Sequence, residues 1–343
     1  MVSWYRYTNI IAFVDKRFLP EKPQFRGYAE VRFPFQARDV LRAEWSDWGE
    51  PGWTDRVEVT GSRWGELLLV ARLRSTMPAT HVAVGVDATP DGWVAVRMHD
   101  REYARIHRYA DDDATDSAFR DLWTDHRDAD VVLVDVPIGL PENVAARAPE
   151  RAARGVLGPR SASVFNVPIR PILHVDSYAD ANDRQKNRER DGRGLMKQTF
   201  NIVPRIREVD DLLGAPDVDA TQDVVREAHP EVCFRALNDG VPMAYSKTAQ
   251  PAAAHWERVG VLASVHANDP VHDDEDAFHD ALATAGRELL DWDAPALSND
   301  DLLDAFALAV TGSTLTGSLQ TLPDDPAEDD LGRRMEMAYA TPP

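Results

Sequence analysis

The sequence predicts an α/β domain, a β-sheet covered by helices, over residues 77–343. Two apolar runs at 81–87 and 93–98 flank the polar turn DATPDG, a pattern typical of a hairpin of buried strands. The later segment ADVVLVDVPIGLP at 129–141 contains a five-residue run rich in β-branched residues that adds a buried strand, and segments downstream carry apolar side chains at helical spacing. This mixture of strands and helices favours a sheet with helices packed on it.

Two further elements are expected between the hairpin and the later strand. REYARIHRYA at 101–110 is a candidate third strand, and DATDSAFRDLWTDH at 113–126 is a candidate helix with Ala118, Leu122 and Trp123 on one face. The later five-residue run ends in Asp135 and is followed by a loop rich in proline and glycine. Residues 142–210 are polar, so we expect loops with short helices there.

Three helices and a last strand complete the domain. Pro230 begins one helix, since proline is tolerated in the first turn, and AAHWERVGVLASV at 253–265 forms another. NDDLLDAFALAVTGS forms the third, with Asn299 as a plausible N-cap. Its expected buried stripe consists of Leu303, Phe306, Ala307 and Val310. GRRMEMAYA at 332–340 is the last strand, after the solvated acidic loop LPDDPAEDD.

The chain is strongly acidic, with 58 Asp and Glu against 38 Lys and Arg and a net charge of −20. Lysine is rare, and an acid-rich, lysine-poor surface is typical of proteins kept soluble in concentrated salt, which indicates a halophile. Cys233 is the only cysteine, which excludes a disulfide framework and favours a reducing, cytoplasmic setting. No apolar run approaches the roughly 18 residues of a membrane span, so we expect no membrane association.

Residues 1–76 differ from the rest of the chain. They hold 12 Lys and Arg against 10 Asp and Glu and five of the nine tryptophans, whereas the remainder holds 26 basic and 48 acidic side chains. One hypothesis is that Met77 is the true initiator, so that 1–76 is an extra, translated upstream segment. The alternative is a small β-rich domain, indicated by YAEVRFPF and RVEVTG. The intact mass of the native protein distinguishes the two.

Four aspartates are expected to converge at one end of the sheet. Asp87 ends the first strand, Asp135 ends a later core strand, and Asp301 and Asp304 share one face of a late helix. Side chains at the carboxyl ends of neighbouring strands of an α/β sheet meet in one crevice. Clustered carboxylates repel one another unless a cation neutralises them, and oxygen-only ligation suits Mg²⁺ or Mn²⁺. The pattern therefore predicts a divalent-metal site.

Simpler roles stay open for each of these residues. An aspartate at a strand end often accepts N–H groups of the following turn, and acids on a helix often form a solvated face. Asp91 is interpreted as a residue of the hairpin turn, and His229 as the cap of the helix that begins at Pro230.

One protein family resembles this chain over about residues 80–340. The segments that carry the resemblance are GVDATPDGW, LVDVPIGLP, GPRSASVFNVP, QTFNIVPRIREVD, REAHPEVCFRALNDGVPM, SKTA and DDLLDAFALA. They resemble the RNase-H-like proteins designated domain of unknown function 429, which are often labelled predicted nucleases. The resemblance implies an RNase H-like mixed β-sheet flanked by helices, with a loop-rich basic insert. It also implies catalytic and metal-ligating roles for Asp87, Asp135, Asp301 and Asp304, around two ions about 4 Å apart.

A nucleic-acid substrate needs positive charge near these acids, because affinity depends on phosphate neutralisation. Residues 160–208 hold 10 basic against 6 acidic side chains, and this basic insert, which contains RQKNRERDGRG, is where we expect nucleic acid to dock. A solvated loop is the alternative. The candidate substrate-binding residues are Arg160, Lys197, Glu231 and Lys247.

The function predicted from these patterns is a metal-dependent nuclease with a two-metal mechanism. No GxSxG or HExxH motif offers a different hydrolytic centre. An ATP-dependent phosphotransferase on the same fold is an alternative, with faint support from DATPDG and VTGSTLTGS. VTGSTLTGS continues a helix instead of beginning one, which is the wrong arrangement for a phosphate. A catalytically silent binding protein is the remaining alternative.

Overall fold

The computed structural model describes residues 80–111, 117–143, 147–188, 194–269, 276–290, 292 and 297–343, together with the strands within residues 1–79. The chain divides into two units, Met1–Thr80 and His81–Pro343. Met77, the run RVEVTG and the insert residues Arg190 and Arg193 lie outside the described residues. Initiation at Met77 therefore stays a prediction.

The first unit is described by its strands, which are β1 (Val2–Tyr7), β2 (Ile10–Asp15), β3 (Ala29–Phe35), β4 (Ser62–Arg63) and β5 (Glu66–Leu73). β1 and β2 pair antiparallel. β5 pairs antiparallel with β3 on one side and with β4 on the other. β3 falls on the run YAEVRFPF, where a strand is expected.

The second unit contains a five-stranded mixed sheet with the strand order β10-β9-β6-β7-β8. The hairpin of β6 and β7 continues antiparallel into β8, as the sequence predicts, whereas β9 and β10 run parallel to β6. β11 and β12 form a separate antiparallel pair. The strands are β6 (Val82–Thr89), β7 (Gly92–His99), β8 (Glu102–Ala110), β9 (Val131–Val134), β10 (Val225–Glu227), β11 (Gln320–Leu322) and β12 (Met337–Tyr339).

The helices of the second unit include every helix that the sequence predicts. They are α1 (Ala118–Asp125), α2 (Ala148–Leu157), α3 (Tyr178–Arg188), α4 (Lys197–Asn201), α5 (Val203–Gly214), α6 (Pro230–Leu237), α7 (Pro251–Ala267), α8 (Ala277–Leu290) and α9 (Asn299–Gly312). In its described part, none combines the length and apolar character that crossing a membrane requires.

Residues 142–210, which contain the insert, are more helical than the sequence predicts, because α2, α3, α4 and most of α5 occupy much of this segment. α5 buries Val203, Ile206 and Val209 against the sheet, and charged residues between them interrupt the apolar stripe. The prediction of a loop-rich insert is therefore only partly right. The polar composition of the segment does not indicate a helix, although the few apolar side chains of α5 all lie on one face.

Both faces of the sheet are covered by helices. Side chains of successive strand residues point to opposite faces, so neighbouring residues of one strand contact different helices. Val84 and Val86 of β6 belong to the core formed with α1 and α5. On the opposite face, Val94 of β7 packs with residues of α6, α7, α8 and α9. Asp87 pairs with Val94 in the antiparallel ladder, so its side chain lies on the α9 face.

Gly85 allows α9 to lie directly on β6. A Cβ atom added at Gly85 would collide with the Ala305 carbonyl oxygen and the Ala309 amide nitrogen. Gly85 precedes Asp87 by two residues on the same face, and Ala305 adjoins Asp304. This close approach therefore brings the acids of β6 and α9 together.

We expect Gly85→Ala to destabilise the second unit by about 3 kcal/mol, because the obstructing atoms are backbone and cannot rotate away. Urea unfolding followed by circular dichroism measures the change. Gly155→Ala is the matched control, since Gly155 lies within α2 and an added Cβ meets nothing within 4 Å. We expect that control to be neutral or stabilising by up to about 1 kcal/mol. Equal stability of the two variants would contradict the packing argument.

Candidate metal centre

A cavity of about 640 Å³ opens at the carboxyl ends of the parallel strands. Asp87 lies near the end of β6, Asp135 directly follows β9, and Glu227 is the last residue of β10. The start of α9 lies on the same cavity. The lining includes all four predicted aspartates, namely Asp87, Asp135, Asp301 and Asp304. Their role as metal ligands stays a prediction.

Strand register brings Asp87 and Asp135 together. Val86 lies opposite Val134 in the parallel ladder, and the Asp135 N–H donates to the Val86 carbonyl oxygen at 3.1 Å. One residue further along both strands, the same register sets Asp135 beside Asp87. Because paired residues of parallel strands present their side chains on the same face, both carboxylates lie on the α9 side of the sheet.

The electrostatics of this pair follow from burial and from like charge. Burial raises the pKa of Asp87 well above its usual value, and the carboxylates of Asp135, Asp304 and Asp301 raise it further. Burial also raises the pKa of Asp135, against the opposing effects of His229 and Lys247. An uncompensated negative charge is therefore unfavourable here.

Asp301 is positioned by the capping of α9. Its N–H donates to the Ser298 hydroxyl at 3.2 Å, and its carboxylate accepts the Ser298 N–H at 3.0 Å. This capping box makes Ser298 the N-cap, so the prediction of Asn299 is wrong by one residue. Ser298 is favoured because its hydroxyl and the acid three residues later satisfy two amides reciprocally.

Asp304 lies one turn further along α9 and is only 8 % exposed. Its Oδ2 atom accepts a hydrogen bond from the Lys247 ammonium, whereas its Oδ1 atom is buried and finds no hydrogen-bond partner in the described part of the chain. Burial raises the pKa of Asp304 to about 6, although Lys247 opposes the rise. Burial lowers the pKa of Lys247, but Asp304 and Asp87 outweigh this effect and raise it overall.

The donor set fits a hard divalent cation. The acids offer only oxygen, repel one another, and include a buried carboxylate oxygen to which no described residue donates a hydrogen bond. Among the residues that the structure describes, no group of three or more His, Cys, Asp or Glu side chains already stands close enough to hold an ion. The Lys247 ammonium instead neutralises part of the cluster.

Glu231 lines the cavity as the partner of two arginines. Arg160 Nε donates to its Oε1 at 2.8 Å, and Arg258 Nη2 donates to its Oε2 at 2.6 Å. Although burial raises the pKa of Glu231, these arginines lower it below its usual value. His229 Nδ1 accepts the Glu231 N–H at 3.2 Å, which confirms His229 as the cap of α6.

The predicted substrate-binding residues divide into two groups. Arg160, Glu231 and Lys247 line the cavity, whereas Lys197 is exposed at the start of α4 and does not belong to the lining. A role for Lys197 in binding stays a prediction. Asp91 also lies outside the lining and accepts the Thr89 hydroxyl at 3.0 Å, as expected of a turn residue.

Part of the positive charge of the insert is already paired with carboxylates. Arg170 forms ion pairs with Asp210 and Asp329, and Arg205 with Asp111 and Glu208. These arginines join the insert to the rest of the second unit, which sequence reasoning did not anticipate. The net charge of a segment therefore overstates the charge it can offer to a phosphate.

A buried triad at the base of the cavity also escaped the sequence reasoning. Arg147 Nη2 donates to Glu150 and to Glu227 at 2.6 Å, and all three side chains are buried. Burial raises the pKa of Glu227 to about 8 despite Arg147. Glu227 also accepts the Ile138 N–H at 2.6 Å, so it holds the loop that follows Asp135. The feature of the sequence that could have indicated this triad is the three-residue spacing between Arg147 and Glu150.

The family model for Protein of unknown function (DUF429) matches residues 85–328, and the chain belongs to this family. The matched range contains all four aspartates together with Arg160, Glu231 and Lys247. Neither the curated proteins nor the solved structures include a significant match to the chain.

Proposed function

We propose that this protein is a metal-dependent nuclease that hydrolyses phosphodiester bonds of nucleic acid by a two-metal mechanism. The observation that carries the proposal is the buried Asp304 carboxylate, whose Oδ1 has no hydrogen-bond partner among the described residues and which shares a cavity with Asp87 and Asp135. A buried acid with an unsatisfied oxygen beside two further acids is a site that a divalent cation would stabilise.

The positions of the acids support an RNase H-like fold. In the second unit, Asp87 lies on the first strand and Asp135 follows the fourth, while Asp301 and Asp304 lie on the last described helix. This order of strand, strand and late helix is the one that the RNase-H-like resemblance implies. The mixed sheet places the first and fourth strands side by side, which explains why acids distant in the chain can cooperate.

In this proposal Asp87, Asp135, Asp301 and Asp304 would hold two Mg²⁺ or Mn²⁺ ions. When bound, such ions supply a more acidic water and neutralise charge on the leaving oxygen of a phosphodiester. The chain itself supplies cations at the cavity wall, where the Arg160 guanidinium and the Lys247 ammonium can orient phosphate oxygens. Asp87 and Asp304 are buried, and the low polarity around them strengthens these interactions.

The net charge of −20 limits how the substrate can bind. Long-range attraction of a polyanion is weak for such a surface, and concentrated salt screens it further. Direct contacts inside the cavity must therefore provide the affinity. Arg160 and Lys247 are the lining cations that the sequence indicated for this role.

The test is incubation of the full chain with end-labelled single-stranded DNA, RNA, RNA–DNA hybrid and branched DNA in molar KCl. We expect cleavage with Mg²⁺ or Mn²⁺ and none after chelation by EDTA, because the acids need the ions to bring a phosphate close. Gel electrophoresis of the labelled strands measures the products.

Absence of cleavage on all four substrates with either metal would contradict the proposal. ATP turnover without cleavage would favour the phosphotransferase alternative. Binding without any turnover would favour a catalytically silent protein.

A further inference from the structure

Phe165 is an exposed aromatic side chain on the wall of the proposed active site. It lines the same cavity as Asp87 and Asp135, yet 40 % of its surface is accessible to solvent. Its sequence neighbours in the wall, Val164 and Val167, are both buried. Exposure of a phenyl ring to water is unfavourable, so a ligand that covers the ring would gain the free energy of burying its apolar surface.

The backbone on both sides of Phe165 is held in place. Arg154 Nη2 donates to the Val164 carbonyl oxygen at 2.9 Å and to Asn166 Oδ1 at 2.7 Å. The Thr199 hydroxyl donates to the Asn166 carbonyl oxygen at 2.9 Å. The segment that carries the ring is therefore already ordered, and its backbone loses little conformational entropy when a ligand stacks on the ring.

Two cationic side chains line the same cavity as the ring. Arg160 belongs to the same wall segment as Phe165, with its Nε held by Glu231, and Lys247 lies in the separate lining segment 246–248. A cavity lined by an aromatic face and two cations suits a ligand that carries a flat ring and a phosphate. A nucleotide unit of a polynucleotide has both.

We propose that Phe165 stacks on an unpaired base beside a phosphate that the metal ions of the proposed nuclease site would hold, so that the site takes single-stranded rather than duplex nucleic acid. In a duplex both faces of each base are covered by its neighbours, and no face is open to a phenyl ring. The cavity volume of about 640 Å³ is that of a site for one small ligand, which suits a splayed nucleotide. The placement of the phosphate rests on the proposed nuclease function.

The test is fluorescence anisotropy with fluorescein-labelled (dA)8 and an abasic oligonucleotide of the same length, with Ca²⁺ in place of Mg²⁺. Gels run after each titration verify that the strands are intact. We expect Phe165→Ala and Phe165→Leu to weaken (dA)8 binding roughly 5- to 150-fold, the range for loss of one stacked base, and Phe165→Trp to preserve it. Binding of the abasic strand should stay unchanged in all three variants.

Leu331→Ala is the control for loss of an exposed apolar side chain, because Leu331 is exposed and does not line the cavity. Thermal unfolding of each variant verifies that the fold is intact. We expect unlabelled (dA)8 to displace the labelled strand far better than either a hairpin duplex or free dAMP.

Three outcomes would overturn the inference about Phe165. They are unchanged (dA)8 affinity in Phe165→Ala, an equal loss for the abasic strand, and displacement by duplex or dAMP as effective as by (dA)8. If wild-type protein cleaves nucleic acid while Phe165→Ala binds normally, only this inference fails. If (dA)8 binding depends on Phe165 but no metal-dependent cleavage occurs, the stacking role stands and the nuclease function fails.

Discussion

Replacing Asp87 or Asp135 by asparagine is expected to abolish metal-dependent cleavage and to weaken divalent-cation uptake strongly. Bound metal supplies several kcal/mol of charge stabilisation, and about 4 kcal/mol corresponds to a rate factor of roughly 10³. An amide keeps the shape of the side chain but removes the charge. Isothermal titration calorimetry with Mn²⁺ and the gel assay of cleavage measure the two effects.

The sign of the stability change provides a second readout for Asp87→Asn. Burial and three neighbouring carboxylates disfavour the ionised Asp87 side chain, so the amide should raise the thermal unfolding temperature in EDTA. The wild-type protein should instead gain stability when Mn²⁺ is added, by mass action on the folded state. The variant should gain much less from the ion.

Asp91→Asn is the matched control, because Asp91 lies in the turn of the same hairpin and outside the cavity. Its ion pair with Arg108 affects the turn and not the proposed ligands. We expect this variant to bind Mn²⁺ and to cleave as the wild-type protein does. Full Mn²⁺ uptake by both Asp87→Asn and Asp135→Asn would refute the metal assignment.

Arg147→Met is expected to destabilise the protein by about 3–5 kcal/mol, the effect of removing one partner from a buried ion pair. Arg147 is buried with Glu150 and Glu227, and both carboxylates would lose their shared cation. Because Glu227 lies at the base of the cavity and holds the loop after Asp135, cleavage should fall as well. Urea unfolding measures the loss of stability.

Arg127→Met is the control for this variant. Arg127 also pairs with a carboxylate, but the side chains of Arg127 and Asp219 are 58 % and 61 % exposed, so we expect little or no change in stability. Adding Glu150→Gln and Glu227→Gln to Arg147→Met should recover part of the stability, since no unpaired charge then remains buried. Equal effects of Arg147→Met and Arg127→Met would show that burial does not govern the triad.

The elements with a strong local pattern were predictable from the sequence. The hairpin of β6 and β7 and the strand β9 consist of nearly uninterrupted apolar runs, because both faces of the sheet are covered. The apolar positions of α1, α6, α7 and α9 follow helical spacing closely enough to be recognised. The family match over residues 85–328 agrees with the resemblance found in the motifs.

The elements that escaped prediction have weak local signals. β10 has only three residues, Val225–Glu227, and is a strand because β9 offers a parallel partner. α8 buries only Phe278, Ala281 and Ala285 fully, so little of its sequence forms an apolar stripe. For β10, packing against β9, and not intrinsic propensity, decides the structure.

The sequence alone determined which acids could act together, since Asp87 and Asp135 end apolar runs and Asp301 and Asp304 share a helix face. Only the tertiary structure decided what surrounds them. Lys247 reaches Asp304 across 57 residues of chain, and Arg147 reaches Glu227 across 80. Local patterns report periodicity and strand ends, whereas the pairing of buried charges depends on which distant elements meet, because only their contact removes the charges from water.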